Sequence, residues 1–177
     1  VRTMESHKCV LNPDFSIKLA LFHNVTNNQE LKQSAIDGKI SAALINPSLV
    51  VDRFQVLTAA TLAVFRLKHE KLVTRNIHSE VLYSLSPNKQ ISQAFAKFGV
   101  SDKYNQVLLV EISKENSQFE EYLKNIQGDL VSMDLLSENS SSDEALKFYK
   151  VKDEELKIGS LADAVVARMT SKDFVKF

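Results

Sequence analysis

Few side chains in this sequence stand at the spacings that catalysis requires. The four histidines, His7, His23, His69 and His78, are never four residues from another histidine or a cysteine, so the helical ligand pair of a zinc site is missing. The glycines, at 38, 99, 128 and 159, each sit where a stop or hinge is expected, and no phosphate-cradling loop of Walker or Rossmann type can be written. No Gly-x-Ser-x-Gly elbow occurs. His7 and Cys9 would share one face of a strand, but their segment has no visible scaffold. Glu80 is the carboxylate with the best claim to chemistry, although a hydrogen-bonded glutamate at a strand edge satisfies the same pattern. No catalytic residue, metal or cofactor is therefore expected.

What the residue types do offer is binding. Arg53, Gln55, Arg75, Glu80, Ser86, Asn88, Lys89 and Gln90 form a polar constellation expected at one end of a sheet. Lys89 and Gln90 open a helix, where free backbone N–H groups and the positive dipole end favour an anion, and Arg53 opens another. Two such starts would suit an RNA terminus, though polar residues at a helix start are also ordinary capping.

The element that must position these groups is the stretch from Ala42 to Glu70. Asp52 is a helix cap, Gln55 can reach back to the cap's N–H, and Val51 can staple onto Val56. A helix of some 18 residues would be roughly 27 Å long. Its apolar residues cover nearly every face, leaving Gln55, Thr58 and Arg66, with Leu62 between them, as the stripe expected to meet solvent or ligand.

Around that helix, residues 1–14 show no period and read as a loose arm. Phe15–Phe22 alternates like a strand, Gln29–Asp37 reads as a helix stopped by Gly38, and Ile77–Leu85 reads as a strand with Val81, Tyr83 and Leu85 on one side. The segment 86–100 is a turn and a helix ended by Gly99, with Val100 making the cap contact. Gln106–Ile112 lacks alternation and so should be a central strand covered on both faces. Phe119–Ile126 is a helix candidate, 137–143 a flexible loop, and Asp143–Tyr149 a further helix. In Asp153–Lys172, Ile158, Leu161, Ala162, Val165 and Met169 recur at helical spacing, opposite a small, mixed side of Asp163, Ala164, Ala167 and Arg168. These elements predict an α+β fold, a single domain with a small, mainly antiparallel sheet flanked by several helices.

The chain has 177 residues, 44% of them apolar, with 22 Lys+Arg against 22 Asp+Glu. That suffices for one core, and it provides no global positive field, so any RNA contact needs a local patch. One cysteine excludes an internal disulfide and fits a reducing compartment. No run suggests a membrane span or a signal peptide, and an intracellular location is expected.

Three segments, Ile45-Asn-Pro-Ser-Leu-Val-Val-Asp-Arg-Phe-Gln-Val-Leu-Thr-Ala-Ala, the run from Thr74-Arg-Asn-Ile-His-Ser-Glu to Ala-Lys-Phe-Gly-Val100, and Ile158-Gly-Ser-Leu-Ala-Asp-Ala-Val-Val-Ala-Arg-Met-Thr-Ser-Lys-Asp, resemble the kinase-binding, CGI-type subunits of the KEOPS (EKC) complex. The resemblance runs from about Phe15 to the end. It implies a non-catalytic subunit, in cytoplasm and nucleus, of the machine that makes threonylcarbamoyladenosine in tRNA. Such a subunit docks 1:1 on the complex's small atypical kinase, adjusts its activity, meets the remaining subunits indirectly and helps hold the tRNA acceptor end. By this resemblance the C-terminal helix from Ile158 meets the kinase, and helical spacing within it gives Ile158, Leu161, Ala164, Val165, Ala167 and Arg168 as candidate contacts. Arg53, Gln55, Arg75, Ser86, Lys89 and Gln90 are the candidate tRNA contacts. Archaeal relatives have Gly and Arg where Pro87 and Lys89 stand, and tend to have His at Gln55; lysine keeps the charge but gives up bidentate phosphate binding. Two rival classes fit the residues: an RNA-binding module that acts without the kinase, and an enzyme using Glu80 with Lys89 and Arg53 as anion holders.

Overall fold

The computed structural model describes residues 3–138 and 142–175. Its centre is β4 (Val107–Ser113), buried along nearly its whole length as its unbroken apolar run predicts. β2 (Ser16–His23) pairs antiparallel with one side of β4, Leu19 opposite Val110 and Leu21 opposite Leu108. β3 (Ala43–Ile45) pairs antiparallel with the other side. On the far edge of β2 lie β1 (Met4–Lys8) and β5 (Asp129–Val131), one after the other. The expected α+β class, with an antiparallel sheet, is what the chain adopts.

Alternation along the strands divides the interior in two. Ile17, Leu19, Leu21, Ala43, Ile45, Leu108, Val110 and Ile112 face one core, and Ala20, Phe22, Leu44, Val107 and Leu109 face the other. The second core is closed by α1 (Asn28–Ile36), through Leu31, and α5 (Phe119–Asn125), through Phe119 and Tyr122. The first is covered by α2 (Arg53–Lys68), α3 (Ile77–Leu85), α4 (Ile91–Phe98), α6 (Ser142–Tyr149) and α8 (Leu161–Ser171). A short α7 (Asp153–Leu156) precedes α8. Among the described residues no helix is long and apolar enough to cross a membrane.

Four expectations need correcting. Residues 4–8 are an edge strand rather than part of a loose arm, and Cys9, at its end, is buried with its N–H on the Phe15 carbonyl at 2.9 Å. Its period was invisible because the inward position is polar: Glu5 is buried and held by Arg53 and His7. Ile77–Leu85 is a helix, not a strand. Asn76 caps it, accepting from the His78 and Ser79 amides at 3.0 and 2.8 Å, and Val81, Tyr83 and Leu85 are all buried because this helix is enclosed on most of its circumference. The run Asp153–Lys172 is broken after Leu156; a new capping box between Ser160 and Asp163 starts α8, so Ile158 drops out of phase and stands 91% exposed. Finally, α6 begins at Ser142, one residue before the expected Asp143 and inside the expected flexible loop, while the 139–141 part of that loop lies outside the described residues.

Two glycines earn their places differently. Gly38, at φ +74°, stops the chain after α1 as expected. Gly99 is not left-handed; a Cβ there would stand 2.5 Å from the Phe95 carbonyl oxygen, so this helix end needs a residue with no side chain.

Candidate functional site

α2 begins as its sequence demands, with the Asp52 carboxylate accepting from the Phe54 amide at 2.6 Å. Gln55 does reach back, but to the Val51 amide (2.9 Å) rather than to that of Asp52. The two ends of the expected wet stripe of α2, Gln55 and Arg66, are turned inward, while Thr58 and Leu62 are half-buried. Gln55 is wholly buried and donates to the Tyr149 hydroxyl at 2.8 Å, which itself donates to the Leu85 carbonyl at 2.7 Å. Burial holds the Tyr149 phenol well above its ordinary pKa, so it stays a neutral donor. Arg66 is also buried, whereas Phe54 and Phe65 are exposed by 57% and 43%. Small, fully buried Ala59, Ala60 and Ala63 turn into the first core, where α2 packs mainly on α3, and this decides which side faces inward more than side-chain polarity does.

The Arg66 guanidinium ties three elements together. It donates to Glu80 (3.2 Å) and Ser84 (2.9 Å) on α3 and to Asp173 (3.1 Å) just past α8. The other Glu80 oxygen accepts from the Val73 and Thr74 amides and the Thr74 hydroxyl, at 3.1, 2.8 and 2.7 Å. Wholly buried in α3 and saturated with donors, Glu80 is a structural anchor and not the strand-edge carboxylate the sequence suggested. Beside it Lys172, also buried, donates to the Tyr83 and Ser86 carbonyls at 2.5 and 3.1 Å and lies 3.7 Å over the Tyr83 ring. Burial, reinforced by Arg66, lowers its pKa to about 7.

The six residues expected to meet RNA do not share one surface. Arg53 is bound to Glu5 and, at 2.7 Å, to Asp134. Gln55 and Ser86 are buried, and Lys89 donates to the Asp173 carbonyl at 3.3 Å. Arg53 opens α2 and Arg75 lies beyond its end, with about 24 Å of helix axis between. Arg75 does stand in a groove of about 440 Å³, with Val73, Thr74, Ser79, Ile91 and Phe95. Lys89 and Gln90 immediately precede Ile91 at the start of α4 and are exposed.

The six expected kinase contacts also divide. Val165 is in the core, Ala164 is at its edge with 9% exposure, and Leu161 packs against it. Arg168 is turned back onto the chain, donating to the carbonyls of Tyr149 and Lys150 at 3.2 and 3.3 Å and to Glu155 at 2.6 Å. Ile158 and Ala167 face outward. α2 contacts α8, and the large apolar side chains left exposed on and around these two helices include Phe54 and Phe65 on α2 and, at 88% exposure, Phe174 just past α8. Because apolar residues cover nearly every face of α2, sequence periodicity does not single out Phe54 and Phe65. Their spacing of eleven residues, three helical turns, was the available signal that they share a face.

The His7 and Cys9 pair suggested by spacing is not assembled. His7 bonds Glu5 at 3.0 Å rather than Cys9, and among the described residues no group of three or more His, Cys, Asp or Glu could hold a metal ion.

Comparison with known proteins gives a family and several relatives. A family model described as "Kinase binding protein CGI-121" matches residues 22–173. The EKC/KEOPS complex subunit TPRKB of Danio rerio is 39% identical over 162 residues, covering 90% of this chain and 93% of that protein. The EKC/KEOPS complex subunit CGI121 of Eremothecium gossypii is 30% identical over 148 residues, 79% of this chain and 82% of that one, and cgi121 of Aspergillus terreus is 35% identical over 99 residues, 55% and 51%.

Proposed function

From the chain's membership of the CGI-121 kinase-binding protein family, we propose that it is a non-catalytic KEOPS subunit that docks 1:1 on the complex's small atypical kinase, regulates it, and helps hold the tRNA acceptor end during threonylcarbamoyladenosine formation, in cytoplasm and nucleus. The observation that carries the kinase half is the exposure of large apolar groups on α2 and on either side of α8. Ile158 at 91%, Phe174 at 88% and Phe54 at 57% exposure are large groups that water solvates poorly, and covering them would release apolar area at about 25 cal/mol per Å². The anchors Arg66, Lys172 and Arg168 fix α8 against α2, α3 and Tyr149, so this surface is organised before a partner arrives.

The tRNA half is supported by the Arg75 groove. An exposed guanidinium can pair with phosphate, and Phe95, 38% exposed, offers a ring on which a terminal base can stack. The non-catalytic reading is supported by the engagement of the best-placed carboxylate, Glu80, in four hydrogen bonds out of reach of substrate.

The test is to mix the cognate kinase with the wild-type chain and with Ile158→Glu/Ala167→Glu, and to measure mass by size-exclusion chromatography with light scattering. Both positions are exposed, so fold is preserved, whereas Ala164→Glu would force a charge against the core. A 1:1 complex that the double variant loses supports the reading. A complex indifferent to it puts the kinase on another surface, and no complex with wild type defeats the adaptor role.

A further inference from the structure

We propose that the cleft between α4, the 101–104 loop and α6 binds a phosphorylated nucleoside, either as a nucleotide of a single-stranded RNA or as a free nucleotide. The cleft encloses about 690 Å³, within the range of small-ligand sites, and is separate from the Arg75 groove, with which it shares no lining residue. Three lysines from three segments line it: Lys97 at the end of α4, Lys103 in the loop and Lys147 on α6. Among the described residues none of them has a carboxylate within 4.0 Å. With Glu144 as the one acidic lining residue, the cleft has a formal excess of two positive charges in a chain whose net charge is zero. A net excess of positive charge in a concavity focuses the field there, which selects an anion.

The aromatic residues narrow the kind of anion. Tyr104 lines the cleft with 41% of its surface exposed, an accessible ring on which a base can stack. Phe148 is held by Phe98 at 5.8 Å and Tyr149 at 5.1 Å, both edge to face, so it is a rigid wall continuous with the core. The Lys97 ammonium lies 5.8 Å over that ring, which holds a positive charge against an apolar face. Cationic heads beside flat apolar surfaces match a phosphate joined to a base. A bare inorganic anion would use the lysines alone, and an acidic peptide would leave the Tyr104 ring without a flat partner.

The test uses the full chain at low salt, with a fluorescein-labelled short oligoadenylate read by anisotropy and with ADP and AMP read by calorimetry. Saturable binding of the oligonucleotide is expected, weakened about tenfold by Tyr104→Ala and about tenfold by Lys147→Glu, with Lys97→Gln and Lys103→Gln each lowering the slope of log K against log salt by about one. All four positions are at least partly exposed, so circular dichroism should be unchanged. Binding of ADP by calorimetry with the same sensitivity to Tyr104 would identify a free nucleotide as the source, and binding of the oligonucleotide alone would identify RNA. The proposal is overturned if neither nucleotide nor oligonucleotide saturates, if inorganic phosphate binds as tightly as AMP, or if Arg75→Glu abolishes binding that the lysine and Tyr104 variants leave intact.

Discussion

Gln55 distinguishes a ligand-facing residue from an interior one, and Tyr149→Phe is the cleanest perturbation of its environment. That change keeps the buried ring and its edge contact with Phe148 and removes the hydroxyl alone. Two hydrogen bonds go, from Gln55 at 2.8 Å and to the Leu85 carbonyl at 2.7 Å, and both partners remain buried. A typical bond contributes about 1 kcal/mol net, and a buried group left unpaired costs about 1–3 kcal/mol, so the expected loss is about 2–4 kcal/mol. Gln55→Met removes the same shared bond together with the one from the Val51 amide at 2.9 Å and the one to the Leu49 carbonyl at 3.4 Å, and should cost a similar amount. The double variant should lose less than the sum, by about 1 kcal/mol, because the shared bond is then counted once. Urea unfolding followed by far-UV circular dichroism measures all four corners of the cycle. If Tyr149→Phe unfolds within about 0.5 kcal/mol of wild type, or Gln55→Met keeps full stability while weakening RNA binding, the interior assignment is refuted.

Other consequences follow from particular contacts. His78 accepts from the Ile112 amide at 3.3 Å through Nε2 and is therefore neutral, and burial lowers its pKa to about 4. Since the unfolded chain titrates near 6.5 and binds more protons between the two values, this histidine's contribution is complete above pH 6.5 and is lost as pH falls toward 4, up to about 3 kcal/mol. An NMR titration should show His78 unprotonated at pH 5.5, and His78→Gln should flatten the acid limb of the stability profile. Arg66→Met strands the Glu80 carboxylate in the interior and should cost about 3–5 kcal/mol by denaturant unfolding, with Arg66→Met/Glu80→Gln recovering part of it. Gly99→Ala places a methyl 2.5 Å from a backbone oxygen that also receives the Gly99 N–H, and should lower stability by about 1–3 kcal/mol without altering the Lys97 and Lys103 side chains.

Local patterns in the sequence determined the elements whose surroundings are uniform. β4 reads as a doubly covered strand because both its neighbours are apolar cores, and α2 reads as a helix because its cap and its lack of glycine and proline are local facts. The family was also legible, since three separated segments agree with it. Tertiary structure alone decided what faces where. The inward side of α2 is fixed by close packing of alanines and by the Tyr149 and Glu80 partners, which lie 94 and 14 residues away, so Gln55 and Arg66 go inside and two phenylalanines outside. β1 was hidden because its inward Glu5 is made acceptable by Arg53, 48 residues on. The α3 helix passed for a strand because burial on most sides erases the difference between a period of two and one of 3.6. The basic cleft was hidden for a different reason: Lys97, Lys103 and Lys147 line one cleft only when the fold brings α4, its following loop and α6 together, and charge spacing along the chain holds no record of that approach.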